Sequence, residues 1–453
     1  MVPAGIPRPF GSSSFVGNFA PRSISRISFL MKITHVTSAL LAGVALLTAW
    51  DASADVAYTV TQLTAGSPSN NGAYGLSSNG LVAGSANQIA FLYSGGKMTK
   101  LGAVPGAGST SFGWSVNASG QVAGYGGSSP STAALYSGGV WTKLGTLGGN
   151  SSSAIGINDA GLVVGYSQIA TGYNRGFLYK NGTMLELAPL AGNTSTATAI
   201  NNAGQIAGTT TYSASGATHA AIYTGTPGMG GAWTDIGSLG GSATANAING
   251  AGEVVGSSTL ASGMALHAFL YSGGTMHDLG ALPGAFDGNS FANGINDSGV
   301  VVGYCPILNS DDHAFIYQNG AMRDLNDLID PASGWVLNNA RAINNAGQIV
   351  GYGTFGGTDH AFLLTPVVKS APTVATKGKK RLVTTRARLV VRGTTSGEVT
   401  SVTCKLGKRT RVAQGTSAWK FIAALKPGRN VLTIIAHGPG EDSAPVKIVI
   451  VQH

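Results

Sequence analysis

Apolar and polar residues alternate in short runs along most of this chain, and glycine- or asparagine-rich steps separate the runs. Val163-Val164-Gly165-Tyr166 and Ala268-Phe269-Leu270-Tyr271 are typical: brief, and rich in β-branched and aromatic side chains. No stretch beyond the first fifty or so residues carries apolar positions at helical spacing, so the pattern predicts short strands joined by tight turns. The runs also repeat. "INDAGLVVGY" at 157–166 recurs as "VNASGQVAGY" at 116, "INNAGQIAGT" at 200, "INGAGEVVGS" at 248, "INDSGVVVGY" at 295 and "INNAGQIVGY" at 343, with a weaker copy, "LSSNGLVAGS", at 76. Gly84, Gly124, Gly165, Gly208, Gly256, Gly303 and Gly351 mark the period, at gaps of 40, 41, 43, 48, 47 and 48 residues.

Each repeat reads as four antiparallel strands. Strand A is Ala-x-x-Ile-Asn, strand B is Val-Val-Gly-Tyr, strand C is Ala-Phe-Leu-Tyr and strand D is Met-x-x-Leu. The A–B turn is set by its asparagine and glycine: Asn117, Asn158, Asn201, Asn249, Asn296 and Asn344 each open a type I turn. Gly120, Gly161, Gly204, Gly252, Gly299 and Gly347 take the left-handed position that ends it. Asn181-Gly182 suits a two-residue C–D hairpin turn. Four strands in forty-odd residues predict a β-propeller blade, and seven copies predict seven blades. The chain enters on "AYTVTQL" (57–63), a D strand without its blade, and leaves on "HAFLLTP" (360–366), a C strand without its D. Pairing the two would close the ring and remove an open edge. A β-solenoid is the rival architecture.

The phrases His-Ala-Phe-Leu-Tyr (267–271) and Ile-Asn-x-x-Gly-x-Val-Val-Gly (295–303) resemble the HAF family of extracellular repeat proteins, over residues 57–365. The copies at Ile89, Ala133 and Gly176 depart from it in lacking the histidine. The resemblance implies secretion from a bacterium and no particular activity.

Composition changes after Pro366. A basic, linker-like stretch (367–380) leads into alternating strands over 381–453, which read as a small β-sandwich. The segment from Trp419 to Asn430 resembles bacterial immunoglobulin-like domains. From Lys369 onward 16 Lys and Arg stand against 3 Asp and Glu, whereas residues 55–368 hold 7 against 14. The basic balance of the chain therefore belongs to its tail, where Arg386, Arg388, Arg392, Lys405, Lys408, Arg409 and Arg411 form either a solvated face or an anion-holding patch.

The first 54 residues are set apart from the 55–366 repeat domain. "MKITHVTSALLAGVALLTAW" (31–50) followed by "ASA" (52–54) reads as a signal peptide cleaved after Ala54, with residues 1–30 an extension ahead of a second possible start at Met31. No later run spans a membrane, so the mature chain is expected to be secreted, periplasmic or on the cell surface.

The chemistry is sparse. Two cysteines, Cys305 and Cys404, are too few for a metal cluster. No nucleophile elbow, zinc-protease or phosphate-loop motif occurs, and no catalytic residue, cofactor or metal is assigned. His219, His267, His313 and His360 fall at one position in four successive copies. They are expected to spread around the ring, each bonding a neighbouring backbone group at the head of strand C. Asp311-Asp312-His313 and Asp359-His360 lack the oxygen count of a calcium loop. The variable D–A and B–C loops, on the face opposite the A–B turns, supply the binding candidates Tyr173, Arg175, Phe286, Asp287 and Trp335. Phe286 and Trp335 could equally fill gaps between blades. The resulting expectation is a binding or surface-interaction protein with an extracellular glycan or envelope component as partner, and not nucleic acid. A glycan hydrolase or lyase working at the propeller mouth, and a structural matrix component, are the alternatives.

Overall fold

The computed structural model describes residues 57–64, 72–127, 129–211, 217–228, 230–308, 311–367, 373–397, 399–438 and 442–453. The expected leader and its cleavage point lie outside these residues. The described chain is all-β apart from three single-turn 3₁₀ segments. Among the described residues, six four-stranded antiparallel sheets follow in chain order over 72–100, 111–145, 148–187, 195–237, 240–278 and 291–324, each in the order A-B-C-D. A seventh takes its A, B and C strands from 335–366 and its D strand from Tyr58–Gln62, which pairs antiparallel from Tyr58↔Pro366 to Gln62↔Phe362.

The repeated glycine of strand B is explained by what lies on either side of it. A Cβ at Gly303 would meet the Phe291 carbonyl oxygen and the ring of Phe315, and one at Gly351 would meet the Asn339 carbonyl and Phe362. The strand C phenylalanines Phe91, Phe177, Phe269, Phe315 and Phe362 are fully buried. "Val-Val-Gly" and "Ala-Phe" are thus two halves of one packing contact, ring over backbone.

The A–B turn forms as its residues dictate. Gly161 sits at φ 75° and donates its N–H to the Asn158 carbonyl at 3.0 Å. The Asn158 Oδ1 accepts from Leu162 N at 3.0 Å. The same asparagines do a second job that turn chemistry alone does not suggest. The Asn117 side-chain amide donates across to the Asn158 carbonyl at 3.1 Å, Asn158 to Asn201 at 3.1 Å, Asn201 to Asn249 at 3.0 Å, Asn249 to Asn296 at 3.1 Å and Asn296 to Asn344 at 3.3 Å. Asn344 reaches the Ser77 carbonyl at 3.2 Å. In the weak first copy, where serine replaces asparagine, Asn79 carries the link onward to the Ala118 carbonyl at 2.9 Å. The seven sheets are joined by a closed belt of hydrogen bonds.

The histidines bond differently from expectation. His219, His267 and His313 pair with strand D carboxylates, Asp235 at 2.9 Å, Asp278 at 2.7 Å and Asp324 at 2.6 Å. His360 finds a backbone partner of the expected kind, the Thr64 carbonyl at 2.8 Å. The reason is register: strand D places its aspartate opposite Ala221, Phe269 or Phe315, two residues past the histidine and so on the same face of the sheet, and a carboxylate there outcompetes a carbonyl for an imidazole N–H. Each aspartate also accepts an N–H from the following loop, Gly237, Gly280 or Asn326, so the pair fixes the exit of strand D.

The chain from Thr373 onward builds two more sheets. One holds Thr373–Thr376, Arg388–Ser396 and Ala418–Ala424; the other holds Arg381–Thr384, Val446–Gln452, Gly428–His437, Ser401–Leu406 and Arg409–Val412. Both contribute to one core, Val391 and Trp419 from the first and Val402, Leu432, Ile434 and Ile450 from the second. The linker therefore ends earlier than its composition suggests. Thr373–Thr376 pairs with the strand 388–396 and buries Val374, although basic residues follow it directly.

Candidate functional site

Two cavities are each lined by residues from the A strands of all seven sheets. Leu76, Ile157, Ile200, Ile248, Ile295 and Ile343, the isoleucine position of Ala-x-x-Ile-Asn, line both. They form an apolar waist between an end at the A–B turns and an end toward the variable loops.

The cavity at the A–B turns has a volume of about 240 Å³ and is lined by the belt asparagines with Asp159 and Asp297. Its polar groups are engaged within the fold. Asp159 accepts from Ala118 N at 2.9 Å and from Asn202 Nδ2 at 2.8 Å, and Asp297 accepts from Gly250 N at 2.7 Å and from Asn345 Nδ2 at 2.6 Å.

The second cavity, of about 430 Å³, has a different character. Every A strand carries a register irregularity two residues before its last residue, between Ala73 and Gly75, Gly113 and Ser115, Ala154 and Gly156, Ala197 and Ala199, Ala245 and Ala247, Ala292 and Gly294, and Ala340 and Ala342. The extra residue at each bulge is Tyr74, Trp114, Ile155, Thr198, Asn246, Asn293 or Arg341, and all seven line this cavity. A β-bulge adds one unpaired residue, bends the strand locally and re-aims that side chain. Here it turns one variable residue per sheet toward the cavity.

Three of the seven already serve the fold. Thr198 donates to the Ala245 carbonyl at 2.8 Å, Asn246 to Ala292 at 2.7 Å and Asn293 to Ala340 at 2.9 Å. Tyr74 and Trp114 pack together, with ring centroids 4.8 Å apart. Arg341 is the one charged residue lining the cavity. Its guanidinium carbon lies 5.8 Å from the Tyr74 ring centroid and 5.5 Å from that of Tyr352, within cation–π range. Arg341 Nε and Trp114 Nε1 are buried without a hydrogen-bond partner. A buried donor left unmatched costs about 1–3 kcal/mol, so two in one cavity call for an explanation.

Tyr74 lines the cavity, whereas Tyr125 and Tyr304 do not. Burial raises the hydroxyl pKa of Tyr74, opposed by the nearby Arg341 charge, and burial likewise raises Tyr125 and Tyr304. Asp312 is also held up, by burial and then by Asp311, while His313 and Arg341 pull it down.

The five loop candidates do not line either cavity. Tyr173 and Phe286 are each 46% exposed, in the B–C loop of the third sheet and the loop before the sixth. Asp287 is exposed beside Phe286, with φ 51°. Trp335 stacks on Phe355 at 5.3 Å and meets His360 and Phe362 edge-on, which is packing. Arg175 is the third sheet's counterpart of the repeat histidine. Its side chain is only 13% exposed, and Nε lies 3.3 Å from Glu186. The signal for this was in the sequence: Arg175–Glu186, His267–Asp278 and His313–Asp324 are each eleven residues apart. The bulge residues were missed although they too left a trace, as the varied first "x" in an otherwise fixed strand.

Both cysteines are buried and free. Among the described residues no group of three or more metal-ligating side chains gathers, and no helix is long and apolar enough to cross a membrane.

No protein-family model and no curated protein matches the chain. Among solved structures it is similar to TolB from Acinetobacter baumannii, at 13% identity and TM-score 0.38, covering 55% of this chain and 61% of TolB. It is also similar to a Trypanosoma rangeli sialidase complexed with 2,3-difluorosialic acid, at 8% identity and TM-score 0.33, over 87% and 89% of the two chains. Fibronectin(III)-like modules of Clostridium thermocellum CbhA match at 12% identity and TM-score 0.19, over 35% of this chain and 88% of theirs. The chain thus spans about three fifths of TolB's length, and at these scores the likenesses carry no argument about function.

Proposed function

We propose that this is a secreted binding protein of the HAF type. In this reading residues 55–366 are a seven-bladed β-propeller, an immunoglobulin-like sandwich follows as spacer or anchor, and the leader is removed after Ala54. The cavity toward the variable loops is the ligand seat, with Tyr173, Phe286 and Asp287 on exposed loops available to a larger ligand such as an extracellular glycan. The propeller reading is supported by the seven four-stranded sheets, the D strand borrowed from Tyr58–Gln62 and the closed asparagine belt.

One observation carries the binding reading. The repeat holds its backbone-facing positions nearly constant while the bulge position carries six residue types in seven copies, and those seven residues meet in one cavity. Thr198, Asn246 and Asn293 tie neighbouring sheets together, but closing a ring gives no use for Tyr74, Trp114 and Arg341 at the equivalent positions. A variable constellation on a rigid frame is how binding sites are built. A glycan-array and envelope pull-down screen of the full chain, repeated with Tyr74→Ala/Trp114→Ala, tests this. Retained ligands should be lost or weakened at least ~10-fold in the double variant. Retention that survives the double variant unchanged would overturn the cavity as the seat.

A further inference from the structure

We infer that the cavity is an anion seat, and that its ligand is a small carboxylate with a ring or apolar body that lies against Tyr74 and Trp114. This rests on the proposed function in taking the cavity as the binding site, and adds to it the chemical class of what binds.

Donor and acceptor inventory is the first ground. Thr198, Asn246 and Asn293 already donate to carbonyls of the next sheet. Arg341 Nε and Trp114 Nε1 remain, both donors and both without an acceptor. Both atoms are buried, so an acceptor reaches them only if the wall shifts slightly; Arg341 itself is only partly buried, and its other two nitrogens are not among the buried atoms. A group that meets this guanidinium must bring acceptors and no competing hydrogens, which describes a carboxylate better than a hydroxyl.

Charge is the second. Arg341 is the only charged residue lining the cavity. Among the described residues no carboxylate is within ion-pair distance of it. Asp312 lies near enough to feel Arg341 but forms no ion pair with it among the described residues. The guanidinium is thus left without a directly bound carboxylate inside the fold.

Geometry is the third. The guanidinium is flanked by the rings of Tyr74 and Tyr352 at 5.8 and 5.5 Å. Flanking rings restrain a planar cation and leave its N–H edge available, the edge that matches a carboxylate. Tyr74 joins Trp114 in an aromatic wall of the same cavity. A volume of about 430 Å³ suits a ligand of one sugar or aromatic ring with its carboxylate and some water.

Isothermal titration of the full chain with D-glucuronate, D-galacturonate and benzoate, each beside its neutral methyl ester, provides the test. At least one acid should bind saturably, its ester at least ~10-fold more weakly, and Arg341→Gln should lose at least ~10-fold for the acid. Arg341→Lys, which keeps the charge and loses the fork, should fall between. The thermal transition of each variant is recorded, so that a misfolded protein is not mistaken for a lost site. An ester that binds as tightly as its acid, a folded Arg341→Gln that binds as well as the native chain, or no saturable binding of any of the three acids at 10 mM would each overturn the inference. The two readings fail separately. If neutral glycans are retained in a way that Trp114→Ala abolishes and Arg341→Gln does not, the cavity remains the seat and the carboxylate falls.

Discussion

Asn117→Ala should destabilise the ring far more than a turn substitution at the surface would. The side chain is 2% exposed and makes four hydrogen bonds. Nδ2 donates to Gln121 Oε1 at 2.7 Å and to the Asn158 carbonyl at 3.1 Å; Oδ1 accepts from Ser119 N at 3.1 Å and Gln121 N at 3.0 Å. Net values of about 0.5–1.5 kcal/mol per neutral bond give about 2–6 kcal/mol. Gln121 is half-buried and can recover water, which trims the expectation to about 2–4 kcal/mol. Asn117→Ser should cost less, about 1–2 kcal/mol, because the first repeat already uses a serine: Ser77 Oγ accepts from Leu81 N at 2.8 Å, in place of the asparagine Oδ1. Urea unfolding of the full chain, followed by tryptophan fluorescence, measures both. The midpoint should fall while the slope stays constant. A loss below ~0.5 kcal/mol for Asn117→Ala would show that the inter-sheet bonds are incidental and refute the belt as a source of stability.

Two further outcomes are expected. Exchanging the third and fifth sheets' pairs by His267→Arg/Asp278→Glu should leave thermal stability within ~1 kcal/mol of native, whereas Asp278→Ala alone should cost more than the exchange, since it also strips Gly280 N of its acceptor; a double variant worse than the single would contradict the equivalence of these positions. Burial pushes the Cys305 thiol up from its usual 9.0 to about 11 and Cys404 to about 12. Both should therefore resist thiol reagents at pH 8 in the folded chain and react on unfolding. Because the folded values exceed the unfolded ones, the stability linked to Cys305 is intact below pH 9 and is lost as pH rises toward 11; unchanged stability of native relative to Cys305→Ala across that window would refute the assignment.

The frame of this molecule was legible because its repeat spells out turn chemistry. Asn158, Gly161 and the Val-Val-Gly run specify a hairpin locally, and seven copies with split end strands specify how the hairpins associate. What joins neighbouring sheets was not legible, because it depends on the second hydrogen of a side chain already assigned to a turn. The histidine partners were hidden for a related reason. His219 reaches Asp235 across sixteen residues and His267 reaches Asp278 across eleven, so a single fixed spacing does not find both. Variable loops point first to exposed residues such as Tyr173 and Phe286. The bulge residues belong to the most regular strand of the repeat, and only the register shift, which residue types do not encode, sends Trp114 and Arg341 to the cavity.

The borrowed D strand has a consequence for how the molecule is made. Tyr58–Gln62 is among the first segments of the repeat region to be synthesised, and its partner Thr358–Pro366 is among the last. Closing a loop of some three hundred residues instead of a ten-residue hairpin adds about five doublings of length, or ~3 kcal/mol of chain entropy. That cost is offset locally: Leu63 N bonds the Ala361 carbonyl at 2.9 Å, Ala361 N bonds Thr64 Oγ1 at 2.9 Å, and Leu63 is buried. Until the seventh repeat arrives the first strand has no sheet to join, so assembly of the ring is a long-range event that must wait for the end of the repeat region. A chain interrupted before residue 358 would carry an unmatched strand at one end and an uncovered sheet edge at the other, the pairing that lets two copies exchange strands.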